Sequence, residues 1–205
     1  MNPALDPAFS TDVFVHVRIV MGTVIGLGIT RLLLGVAGLV QHATRARLSL
    51  LHLLWCLSIL IELVLFWWWE FELRGLQHWS FGIFAFLIGY SITLFLLAAL
   101  LFPDKLDEYA GYEDFFLKRR HWFFALFGAT FLLDALDSLV KGQPYFDQLG
   151  IGYLIQVPTG LLLAGAAILV ADRRFQLGLV VAHLGYQLWW VSLLFDTPAI
   201  PTIVG

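Results

Sequence analysis

The chain is short of charge, of cysteine and of any long polar stretch, and each shortage removes a class of protein. Asp, Glu, Lys and Arg make up 13% of its 205 residues, against about 25% in soluble domains. Hydrophobic residues make up 60%, and the mean hydropathy is +0.84. So little charge cannot cover a water-facing surface, which excludes a soluble domain. A single cysteine, Cys56, excludes an intramolecular disulfide and a cysteine metal knuckle. No basic patch suited to nucleic acid occurs. The H-E-x-x-H, G-x-S-x-G, P-loop and Rossmann glycine patterns are missing too, so no enzyme activity is expected. Residues 1–12, MNPALDPAFSTD, lack the basic start and apolar middle of a signal peptide.

What is present is apolar sequence in long runs. Crossing ~30 Å of hydrocarbon takes about 20 residues, and runs of that length predict helices at about 13–40, 50–70, 80–102, 113–141, 150–171 and 175–195. The expected fold is an all-α integral membrane protein, a single domain over 1–205 with six transmembrane helices in a compact bundle. Short turns make sequential helices antiparallel. Arg45 and Arg47, then Lys105, Lys118, Arg119 and Arg120, then Arg173 and Arg174 occupy alternate loops. The positive-inside rule places those loops in the cytoplasm and both termini on the non-cytoplasmic side, in a bacterial inner membrane. Trp67, Trp68, Trp69 and Trp79 fit an outer interfacial belt and Trp122 an inner one, since indole is apolar but keeps an N–H to satisfy. The segment 103–119 alternates aromatics with charges, which suits a helix in the headgroup layer with Asp104 as its N-cap.

Ionisable groups inside the apolar runs carry the functional reading. Each costs about 2.5–3.5 kcal/mol on insertion scales unless it finds a partner or water. At ~1.5 Å per residue, Glu62 falls near the midplane and Arg31 roughly 7 Å to the inner side, so their opposite charges predict an ion pair. By the same measure Asp134 lies about 4 Å, Asp137 about 9 Å and Arg18 about 12 Å to the outer side. Arg18 and Asp137 are then expected neighbours. Lys141 follows Asp137 by four residues, the favourable order for an intrahelical pair. Thr130, Asp134, Asp137 and Lys141 share one helical side, and Asp134 is the group left without a partner. His183 and Gln187, four apart, add polar lining from the sixth helix, and Gln156 adds it from the fifth.

Together, Arg31, Glu62, Asp134, Asp137, His183 and Gln187 can form a polar path for ions or protons, with Arg18 and Lys141 as ion-pair partners. Structural glue is the competing reading, because buried polar contacts also hold membrane bundles in register. Of six histidines, His52 and His121 come to comparable depth for a bis-histidine haem and the outer pair His16 and His78 lies close to water, so no cofactor is the expectation and haem at His52 and His121 the exception. Gly22, Gly26, Gly28, Gly35 and Gly38 give the first helix a face for close packing. Membrane lipids and a homo-oligomer or larger membrane complex are the expected partners. The function expected first is ion or proton translocation; the alternative is an accessory or scaffold subunit that binds lipid, pigment or haem.

Overall fold

Serine residues open two of the helices. Ser49 Oγ accepts from the amide of His52 at 3.3 Å, and Ser80 Oγ from that of Ile83 at 3.2 Å, which satisfies amide groups that a helix start leaves without intrahelical partners. The computed structural model describes residues 7–41, 48–76 and 78–196. Helix α1 covers Pro7–Gln41 and α2 covers Leu50–Trp69, continued by a 3₁₀ turn at Glu70–Gly75. Next come α3 at Phe81–Ala99, α4 at Tyr112–Lys141, α5 at Gln143–Leu169 and α6 at Arg173–Asp196. All six are long and apolar enough to cross a membrane. Arg45 and Arg47, on which part of the orientation argument rests, lie outside the described residues.

Two boundaries differ from expectation for identifiable reasons. Helix α5 starts at Gln143 rather than 150, because Gly142 turns the chain at φ 104° and Pro144 suits a first helical turn. Gly150, at φ 68°, then kinks the helix where the apolar run begins. The segment before α4 is not an interfacial helix. Residues 100–111 form turns, α4 begins at Tyr112, and Asp104 binds Arg31 instead of capping a helix.

Cross-chain contacts define two ends of the bundle. At the loop end, Ser49 Oγ donates to Glu113 Oε2 at 2.7 Å, and Arg173 Nε donates to Glu113 Oε1 at 2.8 Å, joining the starts of α2, α4 and α6. At the terminal end, where α1 begins, Ser10 Oγ donates to Leu76 O at 2.8 Å, and Trp69 meets Trp190 edge-on. Between them lies an aromatic core. Trp55 of α2 is fully buried against Phe116, Phe123, Phe124 and Phe127 of α4. At the loop end His52 is buried, with Nε2 2.6 Å from Leu101 O and its ring stacked on Tyr112.

Part of the glycine side of α1, at Gly22, Gly28 and Gly35, is used within the chain. Helix α1 packs along α3, and a Cβ on Gly28 would sit 3.5 Å from Phe95 Cα. A Cβ on Gly35 would collide with the ring of Phe102, which is itself buried against His52 and Tyr112. Gly35→Ala is therefore expected to cost about 1–3 kcal/mol by overpacking, read as a lower thermal midpoint in detergent. An unchanged midpoint would show that Phe102 moves aside freely. The second half of the chain does not repeat the first: α1 packs on α3, whereas α4 packs on α5 and α6 packs on α2.

Candidate functional site: an acidic, aromatic cavity

Helices α2, α4, α5 and α6, with Tyr90 of α3, line a cavity of about 80 Å³. One water needs ~10–15 Å³ by this kind of measure, so several fit. Its wall includes Glu62 of α2, Asp134 of α4, Gln156 of α5, and His183 and Gln187 of α6. About half of the described lining residues are aromatic, Trp69, Tyr90, Phe127, Tyr186 and Trp190 among them, and none of these described residues is Lys or Arg. Four of the six expected path residues thus come together.

Each carboxylate is held by one neutral donor. Gln187 Nε2 donates to Glu62 Oε2 at 2.9 Å and to Ser58 O at 3.1 Å, and the Gln187 residue is 2% exposed. Asp134 does have a partner: Tyr153 donates its hydroxyl to Asp134 Oδ2 at 2.8 Å, and Ser138 donates in turn to the Tyr153 oxygen at 3.0 Å. The Tyr153 hydroxyl is reached from Asp134 only because α5 folds back against α4. Gln187 Oε1 and His183 Nε2 are buried with no hydrogen bond among the described residues. His183 is otherwise wrapped in aromatic rings, stacked on Trp55 at 6.0 Å and edge-on to Phe127 at 5.0 Å.

The other charges lie elsewhere. Arg31 does not pair with Glu62: it donates to Asp104 Oδ1 and Phe102 O, both at 2.9 Å, at the loop end. Arg18 does not neighbour Asp137, because α1 makes no contact with α4. Its guanidinium instead lies 4.6 Å from the Trp67 ring centroid and 4.9 Å from that of Phe71, a cation–π arrangement. The Asp137–Lys141 pair forms as expected but has a third member. Lys141 Nζ lies 2.5 Å from Asp137 Oδ2 and 3.0 Å from Glu70 Oε1, and all three side chains are at most 3% exposed. Glu70 was hidden in the sequence by its place after three tryptophans, where a carboxylate reads as the water-facing end of a helix.

Metal and haem chemistry have different footings. Among the described residues no group of three or more His, Cys, Asp and Glu side chains is placed to hold a metal ion. His52 is enclosed and engaged with Leu101 O, while His121 is exposed on α4. The chain matches no family model, no curated protein and no solved structure.

The arrangement has a simple electrostatic consequence. Two carboxylates in one small cavity repel when both are ionised, and neither Gln187 nor Tyr153 brings a positive charge. A cation or proton between them removes that repulsion. The Glu70–Asp137–Lys141 cluster, by contrast, carries its own cation and is closed to solvent.

Proposed function

We propose that the chain is a membrane transport protein that moves a cation, or protons in exchange for one, through the cavity between α2, α4, α5 and α6. The observation that carries this reading is the pair Glu62 and Asp134 facing one small space that holds several waters, with no Lys or Arg among the described residues of its wall. Charges inside membrane bundles mark ion paths when they face water, and act as glue when they face each other. Glu62 and Asp134 fit the first description; Glu70, Asp137 and Lys141 fit the second. His183 and Gln187 serve as lining, with Gln187 orienting Glu62. Arg31 and Asp137, expected on the path, are assigned to the loop end and to the closed cluster respectively.

Purified protein in liposomes tests the class of function. With a pH-sensitive dye inside and an imposed proton gradient, wild-type vesicles are expected to dissipate the gradient faster than protein-free vesicles when an organic or alkali cation is offered. Equal rates for every cation offered would overturn the transport reading.

A further inference from the structure

We infer that the cavity takes the head group of an amphiphilic organic ammonium ion, admitted sideways from the bilayer between α5 and α6; this rests on reading the cavity as a cation site. The wall chemistry selects the class of ion. Alkali and divalent metal ions are held by close cages of oxygen ligands, whereas the wall here is about half aromatic ring, with two carboxylates. An alkylammonium group is weakly hydrated, packs against ring faces by cation–π attraction and needs only a carboxylate as counter-charge. Arg18, held by Trp67 and Phe71, shows the same means of satisfying a cation elsewhere in this bundle. Gln187 Oε1, buried in the cavity wall with no hydrogen bond among the described residues, leaves a partial negative charge free to face such a head group.

Size limits what the cavity itself can hold to the head of such an amphiphile. Pockets for whole drug-sized molecules run to about 300–1,000 Å³, and about 80 Å³ accommodates only a compact head. The remainder must leave through an opening. The α5–α6 seam is the weak wall: α5 packs on α4 and α6 packs on α2, while α5 and α6 barely touch each other. Beside the cavity the Tyr186 hydroxyl donates across the seam to Gln156 Oε1 at 2.5 Å, and nearer the loop end Gln176 Nε2 of α6 donates to Ala167 O of α5 at 3.0 Å. Exposed Leu154 and Ile155 on α5 and Val181 and Leu188 on α6 make these two helices apolar on their outer sides. Pro158 and the Gly150 kink remove regular backbone hydrogen bonding from α5. A tail lying along these helices stays in hydrocarbon while its head meets Glu62 and Asp134.

The test is photolabelling of the whole chain in lipid nanodiscs with a benzophenone-bearing alkyltrimethylammonium, mapped by peptide mass spectrometry. Labels are expected to concentrate on 143–169 and 173–196. Dodecyltrimethylammonium should suppress them at least tenfold at a concentration where dodecanol, with the same tail and no charge, does not. Glu62→Gln with Asp134→Asn should abolish the concentrated labelling; the competition on wild-type protein decides the matter if that variant does not fold. Tyr186→Phe, which removes the bond across the seam beside the cavity, should label faster, and slower or unchanged labelling overturns the sideways route. Labels spread evenly over all lipid-facing helices, or suppressed equally by dodecanol, overturn the ligand class. Concentrated labelling without any flux would remove the transport reading alone, and flux with even labelling would remove only this one.

Discussion

Lys141→Met is expected to destabilise the bundle by about 3–5 kcal/mol, the cost of breaking a buried ion pair from one side. Lys141 is the only cation bonded to Glu70 and Asp137 among the described residues, and methionine keeps its approximate volume while leaving two carboxylates facing each other. Glu70 sits in the 3₁₀ turn after α2 and Asp137 in α4, so the loss falls on the contact between those elements at the terminal end. Thermal unfolding in detergent checks this as a large drop in midpoint. Removing the acids as well, with Glu70→Met and Asp137→Leu, should recover most of the loss, since well-packed apolar residues of similar volume are often as stable as a buried ionic cluster. A Lys141→Met protein with the wild-type midpoint would show that the cluster holds nothing together.

The second large effect falls on function with little on stability. Glu62→Gln or Asp134→Asn alone should lower cation-coupled flux at least tenfold, a loss of ~1.4 kcal/mol or more in the barrier step. The double variant should be little worse than either single one, because groups acting on one bound ion are not additive. Both substitutions are close in shape, and each keeps a hydrogen-bonding partner: glutamine at 62 can still accept from Gln187, and asparagine at 134 can still accept from Tyr153. Thermal midpoints should therefore stay near wild type. If flux falls only in proportion to the folded fraction, the two acids are structural.

The class of fold was legible because bilayer thickness imposes run lengths that composition alone reveals. The pairings of charges were not, and the reason is geometric. Depth along a helix can be counted from the sequence, but which helices touch cannot. Arg31 and Glu62 have similar depths, yet Arg31 reaches the end of α3 and the segment after it. Arg18 and Asp137 have similar depths, yet α1 lies on α3 and never meets α4. The one charge pair read correctly, Asp137 with Lys141, is the one whose geometry a single helix supplies. Asp134 looked partnerless for the same reason in reverse: Tyr153 arrives from α5, brought there by the sharp turn at Gly142. His183 and Gln187 were legible as neighbours by their four-residue spacing, and the cavity they line took the packing of α2, α3, α4, α5 and α6 to define.

Carbodiimide labelling separates the two sets of acids in one measurement. Dicyclohexylcarbodiimide modifies carboxyl groups that it can reach from the bilayer, and peptide mass spectrometry distinguishes Glu62 and Asp134 from Glu70 and Asp137. The expected result is modification of Glu62, Asp134 or both, slowed at least tenfold by dodecyltrimethylammonium, with Glu70 and Asp137 unmodified behind their contact with Lys141. Modification of Glu70 and Asp137 ahead of Glu62 and Asp134, or labelling of the cavity acids that no cation slows, would contradict an accessible cation site above a closed structural cluster.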